Sequence, residues 1–291
     1  MHPGLIALIV IGSILVVLTI IVFILTYPGR RRPGMEDFLR YKYAHRGLHD
    51  AEHAENSLSA FALAVERGFG IELDVHVSRD GEVVVFHDNT LKRIAGVDGK
   101  VGDYTAAELA ALSLSGTSEG VPTFREVLSL VNGRVPILIE MKADAAEDRE
   151  IAKRTLAVLE GYEGPYMIQS FNPLAVGEVR ENAPSVMRGF LGSHLTKKKF
   201  NFKHFLVENF LLNFIARPDF VAYNKACYTF FPFVLFRLRH LGCPLFCWTV
   251  RSADEERIAR SRGFDTVIFE NYVPDELYSR PVHHYHERHK R

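Results

Sequence analysis

The chain has 291 residues, and its 35 basic and 35 acidic residues balance to a formal net charge of zero. A neutral chain has no overall attraction towards nucleic acid, so we expect no nucleic-acid partner. The three cysteines show no framework spacing, which argues against a disulfide-stapled secreted domain.

The first predicted element is a transmembrane helix. Residues 5–26 carry no charge, and at about 1.5 Å of rise per residue such a helix spans a hydrocarbon core of about 30 Å. A secretory signal peptide is the alternative, but the start has no Lys or Arg and no A-x-A cleavage site follows. Three arginines, 30–32, come directly after the span. Because positive residues stay on the cytoplasmic side, we expect a single-pass cell-membrane protein with a cytoplasmic main domain.

Short apolar strands then alternate with helical stretches. The predicted strands are 42–44, 70–77, 82–86, 136–141, 166–169, 186–191, 219–222, 244–249 and 266–269. The predicted helices are 57–67, 105–111, 123–131, 147–160, 173–181 and 254–261. Nearly continuous apolar strands between helices are typical of parallel strands that are buried on both faces. We predict an α/β fold, a TIM (β/α)8 barrel rather than an open doubly wound sheet. The reason is that polar residues repeatedly stand at the carboxyl-terminal ends of the apolar strands, where barrel active sites lie.

Two of these strands carry acidic side chains. Glu72 and Asp74 stand two residues apart, so a strand directs both to the same face, which in a barrel is the interior. Glu140 and Lys142 repeat this spacing on a later strand. Packed carboxylates raise each other's pKa unless a cation compensates, and three oxygen donors suit Mg²⁺ or Ca²⁺. A salt-bridge cluster of these acids with Lys142 and Arg46 is the alternative.

Two histidines follow apolar strands in the same region. His45 precedes Arg46, and His87 precedes Asp88. Histidine gains or loses a proton near neutral pH, and the planar fork of arginine donors suits a phosphate. Two histidines beside an acid cluster and an arginine indicate an acid–base pair for phosphoryl chemistry.

Short motifs follow one another along the chain: His45-Arg46-Gly47, Glu55-Asn56-Ser57, Glu72-Leu73-Asp74-Val75, Ser78-Arg79-Asp80-Gly81, Val84-Val85-Phe86-His87-Asp88, Leu91-Lys92-Arg93, Val121-Pro122-Thr123, Glu140-Met141-Lys142, Ser170-Phe171 and Trp248-Thr249-Val250. With these motifs the sequence resembles the glycerophosphodiester phosphodiesterase family over about residues 41–270. The order and spacing of the early motifs are specific to the family. Three departures stand out: Ala54 replaces a proline, Arg251 replaces an asparagine, and the segment 263–271 lacks the usual Thr-Asp pair.

The resemblance implies a TIM barrel that uses one divalent cation. Carried over by motif, His45 and His87 form the general acid/base pair. The implied metal ligands are Glu72, Asp74 and Glu140. The implied substrate-binding residues are Arg46, Glu55, Asn56, Lys142 and Trp248. In the family mechanism a glycerol hydroxyl attacks phosphorus, one histidine takes its proton, the other protonates the departing alcohol, and water opens the cyclic phosphate.

The leading functional hypothesis is hydrolysis of glycerophosphodiesters to glycerol 3-phosphate and an alcohol. A lysophospholipase D-like activity on membrane lysophospholipids is the alternative within the same fold. A non-catalytic, membrane-tethered binding module is a third hypothesis, which the intact set of histidines and acids disfavours.

The predicted organisation has three parts. Residues 1–34 form the anchor and its basic flank, 35–279 the barrel, and 280–291 a His/Arg-rich tail that we expect to be disordered. Residues 197–236 are rich in lysines and aromatic residues, which fits either a second contact with the membrane interface or two ordinary barrel helices.

Overall fold

The N-terminal segment is one long apolar helix. The computed structural model describes residues 2–29, 32–143, 149–193, 201–227, 238 and 240–275. Helix α1 (Pro3–Thr26) contains a window with a mean hydropathy of 3.3, none of which is buried. By length and composition this helix is able to cross a membrane, as predicted for residues 5–26.

Within the described residues, eight parallel strands close into a barrel. They are β1 (Tyr43–His45), β2 (Gly70–Val77), β4 (Ile137–Met141), β5 (Tyr166–Ser170), β6 (Met187–Gly192), β7 (Phe220–Asn224), β8 (Leu245–Val250) and β9 (Thr266–Phe269). Strand β1 pairs with both β2 and β9, which closes the sheet. The remaining strand, β3 (Val83–Val85), is antiparallel to the end of β2. The predicted TIM barrel is confirmed.

Most helices cover the outside of the barrel. They are α2 (Met35–Leu39), α3 (Leu58–Glu66), α4 (Lys92–Ala95), α5 (Ala106–Ala110), α6 (Phe124–Val131), α7 (Glu150–Leu159), α8 (Pro173–Asn182), α9 (Phe202–Glu208), α10 (Asn213–Ala216) and α11 (Ala253–Ser261). The predictions started α3, α5 and α6 one residue early. Ser57, Thr105 and Thr123 are N-caps: their backbones are extended, and their side chains accept bonds from the first helical turn.

The short helix α2 plugs one end of the barrel and was not predicted. Met35 and Leu39 pack with an interior cluster that seven strands supply. These strand residues are Tyr43, Leu138, Met167, Leu191, Phe220, Ala222, Phe246 and Ile268. Since most of them stand near the start of their strands, the apolar plug fills the amino-terminal half of the barrel and leaves the carboxyl-terminal half for polar residues.

The end of α1 is bound to the barrel through α10. Asn213 is fully buried, and its Nδ2 donates to the carbonyl oxygen of Thr26 at 3.1 Å. Arg217 Nη1 donates to the carbonyl oxygen of Tyr27 at 3.0 Å, and its guanidinium carbon lies 5.7 Å from the Tyr27 ring centroid. The carbonyls at a helix end have no partners within the helix, and two of those at the end of α1, Thr26 and Tyr27, therefore find donors in the barrel.

The segment after α1 also contacts the barrel directly. Gly29 N donates to the carbonyl oxygen of Pro218 at 2.7 Å, and Arg32 Nε donates to Asp219 Oδ1 at 2.8 Å. Arg32, counted as part of the basic flank, is thus engaged by the barrel. Its neighbours at 30–31, residues 194–200 and 228–237 of the basic-aromatic segment, and the tail 280–291 lie outside the described residues.

Candidate active site

Polar residues continue the inward-facing rows above the apolar plug. Counting two residues from Tyr43, Leu138 and Ile268 reaches His45, Glu140 and Glu270, so each shares the interior face of its strand. On β2, Glu72 and Asp74 lie in register with Leu138 and Glu140 of β4. The carboxyl-terminal end of the barrel therefore collects chemically active side chains from several strands.

Three carboxylates and one amine form the centre of this end. Glu72, Asp74 and Glu140 are all buried, and they offer oxygen atoms within 4.8 Å of one another. Lys142 Nζ lies 2.8 Å from Asp74 Oδ1 and 2.5 Å from Glu140 Oε1. The expected juxtaposition of these four residues is present.

The electrostatics of this cluster are unbalanced. Burial, followed by repulsion from Asp74 and Glu140, raises the pKa of Glu72 well above its usual range. Burial also raises the pKa of Glu140, against the attraction of Lys142. Burial opposes ionisation of Asp74 as well, but Lys142 together with neighbouring cationic groups holds its pKa low. The Lys142 amine and the nearby Arg46 guanidinium supply two positive charges against three buried carboxylates, and an additional cation would relieve the remaining repulsion.

The donor set fits a hard divalent cation. All three carboxylates supply oxygen, and no thiol belongs to the cluster. The backbone N–H of Arg46 donates to Glu72 Oε2 at 3.2 Å, and Asn56 Nδ2 donates to Asp74 Oδ2 at 2.9 Å. Such bonds orient carboxylates from behind, as in protein metal sites. The cluster of Glu72, Asp74 and Glu140 is thus able to hold a cation.

A sharp turn after β1 places Arg46 over the acids. Arg46 and Gly47 both have positive φ, 56° and 82°. A Cβ on Gly47 would lie 2.9 Å from the backbone of Ala60, so only glycine fits. The turn brings Arg46 Nη1 to 2.8 Å from Glu55 Oε1, and Arg46 Nε to 3.5 Å from Asp74 Oδ2.

Each histidine is held by its own carboxylate. His45 Nδ1 donates to Glu270 Oε2 at 2.6 Å, and His87 Nδ1 donates to Asp88 Oδ1 at 2.5 Å. Burial lowers the pKa of both histidines, and the hydrogen bonds to Glu270 and Asp88 partly counteract it. Since Nδ1 is engaged in both rings, Nε2 is the nitrogen that remains for proton transfer.

The acid partners are themselves fixed by arginines. Arg93 Nε donates to Asp88 Oδ2 at 2.6 Å, and its terminal nitrogens reach Glu55 at 2.7 and 2.8 Å. Arg251 Nη2 lies 3.4 Å from Glu270 Oε1. The hydrogen bond from His45, with the charges of His45 and Arg251, holds the pKa of Glu270 at about 2 although burial opposes this. Glu270 therefore stays ionised and keeps its histidine oriented.

A cavity of about 490 Å³ opens over these groups. Every predicted site residue except Asn56 and Asp74 lines it, and those two lie behind it against each other. Further lining residues are Arg93, Gln169, Phe171, Leu191, Asn224, Lys225, Ala226, Thr249, Arg251, Ile268 and Glu270. On one side Phe171 stacks edge to face with Trp248, with ring centroids 5.8 Å apart, and forms an aromatic wall.

None of these further lining residues was predicted as a site residue, and three of them are polar residues on the interior rows of the strands: Gln169, Asn224 and Glu270. All three stand two positions beyond an apolar interior residue, after Met167, Ala222 and Ile268. The two-residue period of each strand was sufficient to find them. From the sequence, Glu270 stood out only as part of the segment 263–271 that departs from the family pattern, whereas in the structure its carboxylate holds His45.

A parallel barrel with a buried acid cluster, phosphate-suited cations and two carboxylate-held histidines at its carboxyl-terminal end defines a TIM-barrel hydrolase of anionic substrates. A match to a family model identifies which kind of hydrolase this is. Residues 45–273 match the model of the glycerophosphoryl diester phosphodiesterase family. The chain belongs to this family and is a phosphoric diester hydrolase.

Individual relatives agree. A glycerophosphodiester phosphodiesterase of Caldanaerobacter subterraneus subsp. tengcongensis is 31% identical over 77% of this chain and 91% of its own length. A glycerophosphodiester phosphodiesterase structure from Thermotoga maritima has a TM-score of 0.61 at 30% identity, over 79% of this chain and 93% of its own. The structure of a phosphodiesterase from Oleispira antarctica, in complex with the product sn-glycerol-3-phosphate, has the same fold, with a TM-score of 0.68 at 23% identity. The match covers 81% of this chain and 94% of that chain.

Proposed function

We propose that the chain hydrolyses glycerophosphodiesters to glycerol 3-phosphate and an alcohol in a reaction that depends on a divalent cation. The observation that carries this proposal is the pair of histidines, each held through Nδ1 by a carboxylate, in one cavity with the acid cluster. Such a pair supplies both an acceptor and a donor of protons to the same substrate.

In the proposed reaction the two histidines work in sequence. One imidazole Nε2 takes the proton of a glycerol hydroxyl as its oxygen attacks phosphorus, and the other protonates the alcohol as its bond to phosphorus breaks. Water then adds to phosphorus and opens the cyclic phosphate. In this step the histidine that lost a proton takes one from water, and the other gives its proton to the glycerol oxygen. We assign these roles to His45 and His87, without fixing which acts first.

The remaining residues bind and orient the diester. Arg46 and Lys142 face the phosphate, whose charge they neutralise. Glu55 fixes Arg46 and lies near the glycerol hydroxyls, and Trp248 forms a wall beside the substrate. Asn56 acts from behind the cavity, where its side chain fixes Asp74. Glu72, Asp74 and Glu140 would hold one Mg²⁺ or Ca²⁺, which supplies stabilisation for negative charge on the phosphate oxygens.

We propose further that α1 stays in the protein as a single cell-membrane anchor, with the barrel in the cytoplasm. The bonds that Asn213 and Arg217 donate to the end of α1 support retention, because a cleaved segment needs no such contacts. The proposed division is anchor 1–34, barrel 35–279 and tail 280–291. The contacts of Gly29 and Arg32 show that the anchor's flank packs on the barrel.

The experiment that tests the activity uses the full chain in detergent with Mg²⁺ or Ca²⁺. Glycerophosphocholine and glycerophosphoethanolamine are supplied, and glycerol 3-phosphate is measured. We expect turnover by the wild type and a loss of about 10²–10⁴-fold in His45→Ala and in His87→Ala, with unchanged circular dichroism. No turnover of either diester with either ion would contradict the proposed substrate class.

A further inference from the structure

The closed barrel divides the active-site cavity into two halves. Around the ring the parallel strands follow the order β1, β2, β4, β5, β6, β7, β8 and β9, so β7 stands opposite β2, and β8 stands opposite β4. The acid cluster of Glu72, Asp74 and Glu140 lies on β2 and β4, and His45 ends β1. The half that β5 to β8 form therefore faces the phosphate and the cation site from across the cavity.

In the described part of the chain, the charged residues that line the β5–β8 half are both cations. Lys225 directly follows β7, and Arg251 directly follows β8. The other lining residues from this half carry no charge. Glu55, which we place near the glycerol hydroxyls, belongs to the loop after β1 in the opposite half. With glycerol at Glu55, the departing alcohol is the part of the diester that extends towards the two cations.

The acidic partners of these cations take up only part of their bonding capacity. Lys225 forms an ion pair with Glu255 of α11, which does not itself line the cavity. Glu255 also accepts a hydrogen bond of 2.6 Å from the backbone N–H of Arg251. The half-exposed Arg251 guanidinium lies 3.4 Å from Glu270, which already accepts from His45. An ammonium and a guanidinium each carry several N–H donors, so donors remain for a ligand.

A neutral donor stands on the same wall. Trp248 lines the cavity from β8, and its Nε1 is buried without a hydrogen-bond partner among the described residues. An indole N–H only donates, and buried polar groups in proteins ordinarily have a partner. An acceptor on the departing alcohol would supply one. Trp248, Lys225 and Arg251 together make this half rich in donors.

We propose that Lys225 and Arg251 form an anion subsite for the departing alcohol, so that the preferred glycerophosphodiesters carry a phosphate or a carboxylate on that alcohol. This inference rests on the proposed function and names a substrate class for it. Both anions accept charge-assisted hydrogen bonds, and the fork of a guanidinium matches their paired oxygens. Arg251 stands where we noted a departure from the family's asparagine, so the charge it adds is a feature of this chain.

A cationic alcohol is the competing occupant. Phe171 and Trp248 form an aromatic wall in this half, and aromatic faces attract ammonium groups. An ammonium group bound there would share the space with Lys225 and Arg251, and like charges repel. Among the residues that the structure describes, no acid from β5 to β8 lines the cavity to offset this repulsion. The charges therefore favour an anionic alcohol over a cationic one.

The test uses two pairs of substrates whose members differ by one anionic group. Glycerophosphoinositol 4-phosphate is compared with glycerophosphoinositol, and glycerophosphoserine is compared with glycerophosphoethanolamine, which lacks only the carboxylate. For each, kcat/KM is measured with the full chain in detergent and Mg²⁺ or Ca²⁺. The ratio within a pair cancels general damage to the enzyme, and the two pairs distinguish a phosphate from a carboxylate.

Arg251→Gln and Lys225→Gln each remove one positive charge and keep a polar side chain. The matched control is Arg257→Gln, at an exposed arginine of α11 outside the cavity lining. In the wild type and the control, we expect the anionic member of at least one pair to be favoured about tenfold or more, the value of a hydrogen bond between charged groups. Each of the two variants should lose most of this advantage.

An advantage in neither pair, or one that either variant retains in full, would overturn the anion subsite while leaving the proposed function intact. If no diester is turned over, the proposed function fails, and binding decides the subsite. Isothermal titration calorimetry then compares the members of each pair in the wild type, Arg251→Gln and Lys225→Gln. Tighter binding of an anionic member that both variants lose would support the subsite. Equal affinities within both pairs, or tighter binding that either variant keeps, would exclude it.

Discussion

His45 and Glu270 stand 225 positions apart, yet His45 Nδ1 donates a hydrogen bond of 2.6 Å to Glu270 Oε2. Strand β1 ends in His45, and Glu270 follows the last residue of β9. These two strands pair with each other where the barrel closes. The strand pairing that closes the barrel therefore also orients His45, a proposed acid–base residue.

Replacing Glu270 by Gln should lower kcat about tenfold or more, since a general acid–base catalyst contributes about 10²–10⁴-fold and loses part of this when its ring is no longer held. The pH profile gives the sharper measurement. Burial lowers the pKa of His45 and the hydrogen bond to Glu270 raises it. Loss of that bond lowers the pKa further, so the limb of the pH–rate profile that belongs to His45 should move to lower pH.

Asp254→Asn, at an exposed acid on α11, is the matched control for this substitution and should leave the profile in place. A Glu270→Gln profile that overlays the wild type would remove Glu270 as a positioning residue.

The same carboxylate should contribute to acid stability. Its pKa in the folded protein is about 2, against an ordinary value of 4.5. A depressed pKa stabilises the fold above the unfolded value, and this contribution disappears as the pH falls from 4.5 towards 2. Denaturant unfolding across this window should show a shallower loss of stability in Glu270→Gln than in the wild type. Equal slopes would show that the ion pair does not act on folding.

Divalent cations should stabilise the protein as well as activate it. Mg²⁺ or Ca²⁺ added after chelation should restore activity and raise Tm by several degrees, because a ligand that binds only the folded state stabilises it. Glu140→Gln removes one member of the acid cluster and should lose most of this Tm shift. Glu160→Gln, at an exposed acid, should keep it. Full activity in the presence of a strong chelator would contradict a dependence on a cation.

Gln169 offers a test that separates binding from folding. Both polar atoms of its amide are buried and have no hydrogen-bond partner within the described part of the chain, and the residue lines the cavity. We expect Gln169→Leu to lower kcat/KM about tenfold, because a hydrogen bond to the substrate is lost. Stability should not fall, since a buried amide without a partner costs free energy.

Met167→Leu, two positions earlier on the same interior row, is the control and should leave kcat/KM unchanged. Wild-type kcat/KM in Gln169→Leu would exclude the amide from substrate binding.

The anchor is tested by extraction and by a topology reporter. Carbonate should leave the full chain in the membrane fraction and release a variant that lacks residues 2–26. Intact mass should show that the N-terminal helix is retained. A reporter fused after Arg291 should lie on the cytoplasmic side of the membrane. An external reading would reverse the proposed orientation, and a mass that lacks α1 would identify it as a signal sequence.

The fold and the centre of the site were predictable because their signals are local. The spacing of Glu72 and Asp74 within one apolar run directs both side chains inward whatever the rest of the barrel does. The same holds for Glu140 and Lys142. His45 and His87 already indicated an acid–base pair because both follow apolar strands in the same region, and the family resemblance supported this pairing. The two-residue rule also reaches Gln169, two positions beyond the interior residue Met167.

Other relationships were decided only by the tertiary structure. Nothing near Glu270 in the sequence points to His45; the two meet because the first and last barrel strands pair. The attachment of α1 likewise needs α10 to pack against α8, and Asn213 to be buried against the end of α1.

The sequence by itself determined which side chains face inward on each strand, because alternation of side chains is a property of a single extended segment. It therefore determined which acids point into the interior. The tertiary structure decided which of those side chains touch, since closing the ring of strands joins residues from opposite ends of the chain. The orientation of His45 and the attachment of α1 to the barrel belong to that second level.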